Sequence, residues 1–318
     1  MDVVALGELL IDFATVSTDS SGYPTMAAHP GGAPANFLAA LTKYGCGTAL
    51  LGKVGTDTFG NLLIGTLKEA GIETKGLVQT DDVFTTLAFV TFDASGDRKF
   101  AFSRKPGADT CISFEELDLR LIDEAKVFHF GTLSLTDEPA RTATQKAVAY
   151  AKSKGKLITY DPNLRKPLWN DLETAKEQLL WGLKQADVVK ISDEEVEFLF
   201  GLGVKEGAAH ILANYGVKLV FVTCGADGCL FKNEKAEGHV PGRAGIKVID
   251  TTGAGDIFGG SAVWKLLQTG KAPQTLDAEE LRDVVSFACA AAGLSTTKSG
   301  GIPSIPEYED VLKVQNKH

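Results

Sequence analysis

Short apolar segments alternate with amphipathic segments along most of this chain. The strand-like segments are Val3–Gly7, Ala49–Val54, Val127–Gly131, Leu157–Tyr160, Val188–Ile191 and Leu219–Thr223. Helical patterns lie between them, at Ala35–Tyr44, Phe59–Ala70, Glu138–Ser153, Leu172–Gln185 and Ala208–Tyr215. This order predicts an α/β fold, with a mainly parallel sheet and helices on both of its faces. In such folds ligands bind at the carboxyl ends of the strands.

Two stretches break this alternation. Ile11–Val16 and Phe84–Asp93, with Lys99–Arg104 beyond, have strand-like patterns and no helix between them. We expect a small β-sheet, inserted at about residues 11–30 and 83–105, that stands over a cleft as a lid. An edge extension of the main sheet is the alternative.

The composition limits the class of protein. The 318 residues carry 32 basic and 41 acidic side chains, a net charge of −9, without a basic run, so nucleic acid and anionic membranes are not expected partners. No apolar run approaches the roughly 18 residues of a membrane span, and the first residues lack signal-peptide features, which predicts a cytoplasmic protein. We see no linker or repeat and expect one domain over residues 1–318. The five cysteines lack metal-site spacing and are expected to be free thiols.

A glycine-rich joint lies in residues 250–260. We expect Gly245–Ile249 to form a strand before it and a helix, ended by Gly270, to follow it. Gly253-Ala254-Gly255 would allow close backbone approach, and the amides of a first helical turn favour an anion. Asp256 is a carboxylate in the same turn, so a base would stand beside an anion hole, as phosphoryl transfer to a hydroxyl requires. From these residues alone, a tight turn with a helix-start acid stays an alternative.

A second glycine-rich helix start, Gly31-Gly32-Ala33-Pro34-Ala35-Asn36, changes that balance. Together the two regions resemble the signatures of the PfkB (ribokinase-like) sugar kinases. Gly7–Asp12, Asp161–Arg165 and Thr223–Gly228 follow in the order and spacing of that family, so the resemblance covers essentially the whole chain. Within the family the chain is most similar to fructokinases.

The resemblance implies a three-layer α/β/α ribokinase-like fold with a small β-sheet lid. It also implies ATP-dependent phosphorylation of the 6-hydroxyl of D-fructose, with Mg²⁺. The same chemistry on 2-keto-3-deoxygluconate, ribose or a riboside is the nearest alternative, and a non-catalytic sugar-binding protein is another. Relatives often pair through the lid, so a homodimer is expected.

On the sugar side, the resemblance assigns roles to residues from four segments. Asp256 would be the general base, and the amides of Gly253, Ala254 and Gly255 would form the anion hole. The implied substrate-binding residues are Asp12, Gly31, Gly32, Asn36, Arg104, Asn163 and Arg165. By sequence alone, Asp12 and Asn36 could equally be turn and helix-start residues, and the two arginines solvated charges.

On the nucleotide side, the implied ATP-binding residues are Lys190, Glu195, Thr223, Gly225 and Gly228, with the helix around 286–293 beside the adenine. No P-loop motif is present. Glu195 would act on Mg²⁺ through water, although Ser192 replaces the asparagine of the family's Asn-x-x-Glu motif, and a Ser192 helix cap explains the same residues. A K⁺ site is implied at Asp250, Thr252, Ser295, Lys298, Gly300 and Ser304, from backbone or hydroxyl oxygens.

Overall fold

The computed structural model describes residues 1–92 and 98–316, in which strands and helices alternate. The strands are β1 (Val3–Leu6), β2 (Leu10–Thr18), β3 (Pro24–Gly31), β4 (Thr48–Gly55), β5 (Leu77–Thr80), β6 (Leu87–Phe92), β7 (Arg98–Ser103), β8 (Val127–Gly131), β9 (Leu157–Asp161), β10 (Val188–Ser192), β11 (Leu219–Thr223), β12 (Cys229–Asn233) and β13 (Glu237–Val240). The α-helices are α1 (Ala33–Lys43), α2 (Thr58–Glu69), α3 (Leu119–Glu124), α4 (Ala140–Ser153), α5 (Leu172–Gln185), α6 (Asp193–Phe200), α7 (Val204–Tyr215), α8 (Ala254–Thr269), α9 (Ala278–Ser295) and α10 (Tyr308–Gln315).

The main sheet has nine strands in the order β13-β12-β11-β10-β9-β8-β1-β4-β5. The pairs from β11 through β5 are parallel, and β12 and β13 are added antiparallel at one edge. Alternate residues of β1 enter different cores: Val4 and Leu6 pack with α4, α5 and α7, whereas Val3 and Ala5 pack with α1, α2 and α8. The predicted α/β class, with helices on both faces, is confirmed.

A separate four-stranded sheet has the order β3-β2-β6-β7. β2 pairs antiparallel with β3 and parallel with β6, and β6 pairs antiparallel with β7. Phe13 stacks on Phe89 within this small sheet, with ring centroids 5.3 Å apart, and meets Phe59 of α2 edge-on at 5.5 Å. The small sheet is therefore anchored to the main body beside α2. Asp93, at the end of one predicted strand, lies outside the described residues.

The predicted strand at Gly245–Ile249 is wrong. The backbone there makes no sheet pairing among the described residues, and the amides of Ile249 and Asp250 donate instead to the carbonyl oxygen of Thr296. Val248 and Ile249 are 58% and 63% exposed, so their apolar side chains do not mark a buried strand. The sheet has already ended at β13, and this segment runs along the end of α9.

The helix after the glycine-rich joint is confirmed. Gly253, at φ 76°, precedes α8, and Gly270, at φ 63°, ends it. Both adopt the left-handed conformation that glycine tolerates best. Asp256 and the glycine-rich joint thus lie at the start of a helix that begins where the sequence predicted. In the part of the chain that the structure describes, no helix combines the length and the hydropathy that a bilayer crossing requires.

Candidate active site

A cleft of about 790 Å³ opens at the carboxyl end of the main sheet, partly beneath the small sheet. Val90 of β6 and Phe102 of β7 contribute to its lining. Among the residues named from the sequence, those lining it are Asp12, Gly32, Asn36, Asn163, Arg165, Lys190, Glu195, Thr252, Gly253, Gly255 and Asp256. Segments far apart in the chain therefore meet where a parallel sheet places its ligands.

Asp256 stands in the first turn of α8, at the base of the cleft. Asn36 of α1 donates from Nδ2 to Asp256 Oδ2 at 2.9 Å, which fixes the direction of the carboxylate. Burial and the nearby charge of Asp161 raise the pKa of Asp256 to about 6, against the opposing effects of Asn36, Lys190 and Arg165. The carboxylate is therefore oriented, ionised at neutral pH, and basic enough to accept a proton from a hydroxyl.

The N-terminus of α8 supplies the anion-binding geometry, with one difference from the sequence prediction. Gly255 and Asp256 lie within the first turn, where amides have no intrahelical acceptor. The Ala254 amide instead donates to the carbonyl oxygen of Thr251 at 3.2 Å and closes the turn. The predicted use of the Ala254 amide in the anion hole is therefore revised, because its hydrogen is already engaged.

Asp12 of β2 lies across the cleft from α8. Its carboxylate occupies the space over Gly31, where an added Cβ would lie 2.2 Å from Asp12 Oδ2. Burial raises the pKa of Asp12 to about 6, opposed by Arg165. Gly32, at φ 114°, is the N-cap of α1, and a Cβ there would meet the Glu8 carbonyl oxygen at 2.4 Å. Both glycines are thus required by close approach.

Lys190 and Asp161 form an ion pair beside the glycine-rich joint. Lys190 was predicted as a site residue, whereas Asp161 was not. Lys190 Nζ lies 3.0 Å from Asp161 Oδ2, and the side chains are 14% and 9% exposed. Burial disfavours the charged amine, but Asp161, Glu195 and Asp256 outweigh it and raise the pKa of Lys190. A Cβ on Gly255 would lie 2.9 Å from Nζ, so this ammonium adjoins the first turn of α8. The signal for Asp161 was its position, since it is the last residue of β9 and the first residue of the Asp161–Arg165 segment.

Asn163 and Arg165 follow β9 and reach the cleft in different ways. Asn163 is buried at φ 44°, a conformation that asparagine tolerates better than most residues, and its amide donates to Asp161 Oδ1. Arg165 is exposed at the cleft rim and lowers the pKa of Asp12 and of Asp256 through its charge. The arginine is therefore placed to attract an anionic group.

Arg104 is not among the described residues that line the cleft. The predicted contact with the sugar is therefore replaced by contacts within the protein. Its side chain is 3% exposed, and Nε and Nη2 donate to Asp109 Oδ2 at 2.9 and 2.7 Å. The remaining donors reach Thr136 Oγ1 and the Leu133 carbonyl oxygen. A buried guanidinium needs such partners. Arg104 therefore ties the end of β7 to the main body, and it is not the solvated charge of the alternative either.

Glu195 fits a water-mediated role at Mg²⁺. It is 8% exposed and lines the cleft, and Oε1 and Oε2 accept the amides of Leu164 and Ser192 at 2.7 and 2.9 Å. Because each carboxylate oxygen has two lone pairs, one on each oxygen is left for a metal-bound water. The Ser192 cap is also present, since Ser192 Oγ accepts the Glu195 amide. The Ser192 cap is therefore confirmed, and it leaves the Glu195 carboxylate available for the predicted role at Mg²⁺.

Thr223, Gly225 and Gly228 lie at the next strand end, outside the cleft lining as described. Thr223 is opposite Ser192 in the sheet and donates to the Ile191 carbonyl oxygen at 3.4 Å. Gly225 and Gly228 have φ values of 53° and 99°, and a Cβ on Gly228 would meet the Val240 carbonyl oxygen at 2.1 Å. The turn alone thus requires glycine, whether or not a nucleotide lies along it.

The candidate K⁺ residues surround a satisfied carboxylate. Asp250 Oδ1 accepts the amide and the hydroxyl of Thr252, and Oδ2 accepts Ser299 Oγ and the Gly300 amide. Burial would raise its pKa, but these hydrogen bonds lower the pKa of Asp250 to about 2. Since these four hydrogen bonds use the four lone-pair sites of the carboxylate, the Asp250 side chain does not fit a cation.

The other candidate K⁺ residues keep their side chains in local contacts. Ser295 Oγ and Ser304 Oγ donate to the carbonyl oxygens of Ala292 and Gly301, and Lys298 is exposed. Their hydroxyl oxygens retain lone pairs, but nothing here fixes a coordination geometry.

Comparisons with known proteins identify the family of this chain. The family model described as pfkB family carbohydrate kinase matches residues 1–308. The chain is 44% identical to Fructokinase-2 of Solanum habrochaites over 315 residues, 98% of this chain and 94% of that protein. A solved fructokinase with bound ATP from Xylella fastidiosa superposes with a TM-score of 0.90 at 30% identity, covering 98% and 97% of the two chains. A fructokinase double mutant of Vibrio cholerae O395, bound to fructose, ADP and potassium ion, gives 0.86 at 29% identity, with 99% of each chain covered. The chain belongs to the pfkB family of carbohydrate kinases.

Proposed function

We propose that this protein transfers the γ-phosphoryl group of ATP to the 6-hydroxyl of D-fructose. The observation that carries the proposal is the placing of Asp256, oriented by Asn36, in the first turn of α8 within the cleft. The names of the fructokinase relatives select fructose among the sugars that this chemistry would accept.

In the proposed reaction Asp256 accepts the proton of the sugar 6-hydroxyl as its oxygen attacks the γ-phosphorus. The bond to the β-phosphate oxygen breaks, and ADP leaves. The first-turn amides of α8 and the ammonium of Lys190 stabilise negative charge on the transferring group. Asp12, Asn36 and Asn163 hold sugar hydroxyls, and Arg165 attracts the phosphates. The small sheet acts as a lid that excludes water within a single kinase domain.

Glu195 would hold Mg²⁺ through water on the nucleotide side of the cleft. When bound, the ion would neutralise negative charge on the phosphates. Thr223, Gly225 and Gly228 would flank the ATP beyond Lys190. A K⁺ site would use backbone oxygens of the 250–252 and 295–304 segments. We further propose a cytoplasmic enzyme that forms a homodimer through the small sheet.

A panel of sugars tests the substrate. ADP formation is measured with MgATP and fructose, 2-keto-3-deoxygluconate, ribose and a riboside, and we expect fructose to give the highest kcat/KM. A higher value for another sugar would replace fructose, and sugar binding without ADP formation would indicate a binding protein.

The Asp256→Asn variant tests the chemistry. Losing a general base typically costs about 10²–10⁴ in rate, while asparagine can still accept the Asn36 hydrogen bond, so sugar binding should persist. Asp310→Asn, which alters an exposed first-turn acid of α10, is the control and should keep full activity. Wild-type kcat in Asp256→Asn would contradict the assigned mechanism.

A further inference from the structure

Glu8, between β1 and β2, is a buried carboxylate that the proposed reaction does not use. It is 3% exposed, and its Oε1 accepts the backbone amide of Ala33 at 2.9 Å. Ala33 is the first residue of α1, and the N-cap residue Gly32 has no side chain with which to accept that amide. Glu8 therefore caps α1 from a distant segment of the chain.

The backbone around Glu8 also packs closely against the start of α1. A Cβ on Gly32 would lie 2.4 Å from the Glu8 carbonyl oxygen, and a Cβ on Gly7 would lie 2.6 Å from Pro34 Cγ. Neither glycine has room for a methyl group, so the segment after β1 is packed closely against the first turn of α1. The segment after β1 thus supports the first turn of α1, and the Glu8 side chain accepts the hydrogen bond of its first amide, that of Ala33.

α1 in turn carries the residue that orients the base. The amide of Asn36 donates to the carbonyl oxygen of Gly32 at 3.0 Å, which ties it to the capped turn. Asn36 is 3% exposed, and its Nδ2 donates to Asp256 Oδ2 at 2.9 Å. A chain of contacts therefore runs from Glu8 through the first turn of α1 and Asn36 to the catalytic carboxylate.

We infer that Glu8 is a positioning residue, which sets the direction of the Asp256 carboxylate by holding the first turn of α1. The inference rests on the proposed function, because it gives Asp256 the role of base. The acceptor oxygen of Glu8 is the essential feature, so glutamine can replace it through its carbonyl group. Alanine leaves the Ala33 amide without its partner.

Steady-state kinetics of variants test this role. Glu8→Ala should lower kcat by about 10- to 100-fold, since small displacements of a reacting group have effects of that size, and it should leave the KM for ATP within about twofold. Glu8→Gln should restore kcat to within about threefold of the wild type. Asp171→Ala, which removes a side-chain cap from α5, a helix without site residues, is the matched control and should retain wild-type kcat.

A double-mutant cycle separates positioning from general destabilisation. In an Asn36→Ala background, Glu8→Ala should cause little further loss, because its effect passes through Asn36. Additive losses, or a Glu8→Gln variant as slow as Glu8→Ala, would overturn the inference. If Glu8→Ala does not fold, Glu8→Asp provides the same comparison, since its carboxylate is withdrawn by one methylene.

Two choices keep this test distinct from that of the proposed function. The variants are assayed with whichever sugar gives the highest turnover, so a failure of fructose does not affect the comparison. Hydrogen exchange at the amides of Ala33, Ala35 and Asn36 is measured as well and should accelerate in Glu8→Ala but not in Glu8→Gln. Unchanged exchange in Glu8→Ala would show that Glu8 does not hold the first turn of α1, whatever reaction the protein catalyses.

Discussion

The protonation of Asp256 should set the acid limb of the rate profile. Burial and the charge of Asp161 raise the pKa of this carboxyl from 3.8 to about 6, while Lys190 and Arg165 act in the opposite direction. A general base works only when ionised, so kcat/KM for the sugar should rise with pH through about 6 and then level off.

Two single substitutions should move this limb in opposite directions. Asp161→Asn removes a negative charge and also leaves the Lys190 ammonium, formerly 3.0 Å from Asp161 Oδ2, without its partner. Both changes favour the ionised form of Asp256 and lower its pKa. Lys190→Met removes a positive charge and leaves Asp161 unpaired, which raises the pKa of Asp256.

The size of the effect follows from the pKa itself. Near pH 5 a carboxyl of pKa about 6 is roughly one-tenth ionised, whereas one of pKa 3.8 is more than about nine-tenths ionised. The wild type should therefore show about a tenth of its plateau kcat/KM there. At the same pH Asp161→Asn should show a larger fraction of its own plateau than the wild type, although burial still holds its pKa above 3.8, and Lys190→Met should show a smaller fraction.

The assay is direct chromatographic measurement of ADP, because coupling enzymes lose activity in acid. Each variant is normalised to its own plateau, so that a fall in maximal rate does not disguise the midpoint. Asp310→Asn serves as the control and should keep the wild-type midpoint. Identical midpoints in all variants, or shifts of both variants in one direction, would refute the assignment of the limb to Asp256.

Three further results are expected. Gly255→Ala should lower kcat with little change in melting temperature, because its Cβ would lie 2.9 Å from Lys190 Nζ and would displace the ammonium rather than the backbone. Gly65→Ala on α2, with open space around it, should keep wild-type kcat and melt no lower. Equal kcat in both variants would contradict this expectation. Gly31→Ala should raise the KM for the sugar by about tenfold, because its Cβ would lie 2.2 Å from Asp12 Oδ2; an unchanged sugar titration would oppose a role for Asp12. Chelation of divalent ions should stop ADP formation without unfolding the protein, and turnover persisting in chelator would exclude the Mg²⁺ role.

Much of the fold was predictable because its signals are local. The apolar runs and helical stripes identified β1, β4 and β8 to β11 to within a few residues, and the left-handed glycines marked the start and the end of α8. Gly245–Ile249 failed because apolar residues predict a strand only when they are buried, and here Val248 and Ile249 face solvent. Exposure depends on where the sheet ends, which the local sequence does not encode.

The candidate site was predictable where residue type and position carry the chemistry. Asp256, Asn36 and Lys190 are examples, since their segments converge on one cleft. Side-chain pairings were not predictable. Arg104 forms an ion pair with Asp109, five positions further along, and Glu8 accepts the amide of Ala33, 25 positions further along. Each contact depends on how the segment between the two residues folds. The sequence shows which chemistry a charged residue can perform, but it does not show which residue the charge contacts.

The hydrogen bond between Asn36 and Asp256 joins residues 220 positions apart. During synthesis the sugar-side segments leave the ribosome first, while the base and the first turn of α8 arrive only in the last quarter of the chain. A chain that ended before residue 254 would contain Asn36 and Lys190 but would lack the proposed base, Asp256, and the first-turn amides of α8. On the proposed mechanism, a chain truncated in this way should not phosphorylate a sugar.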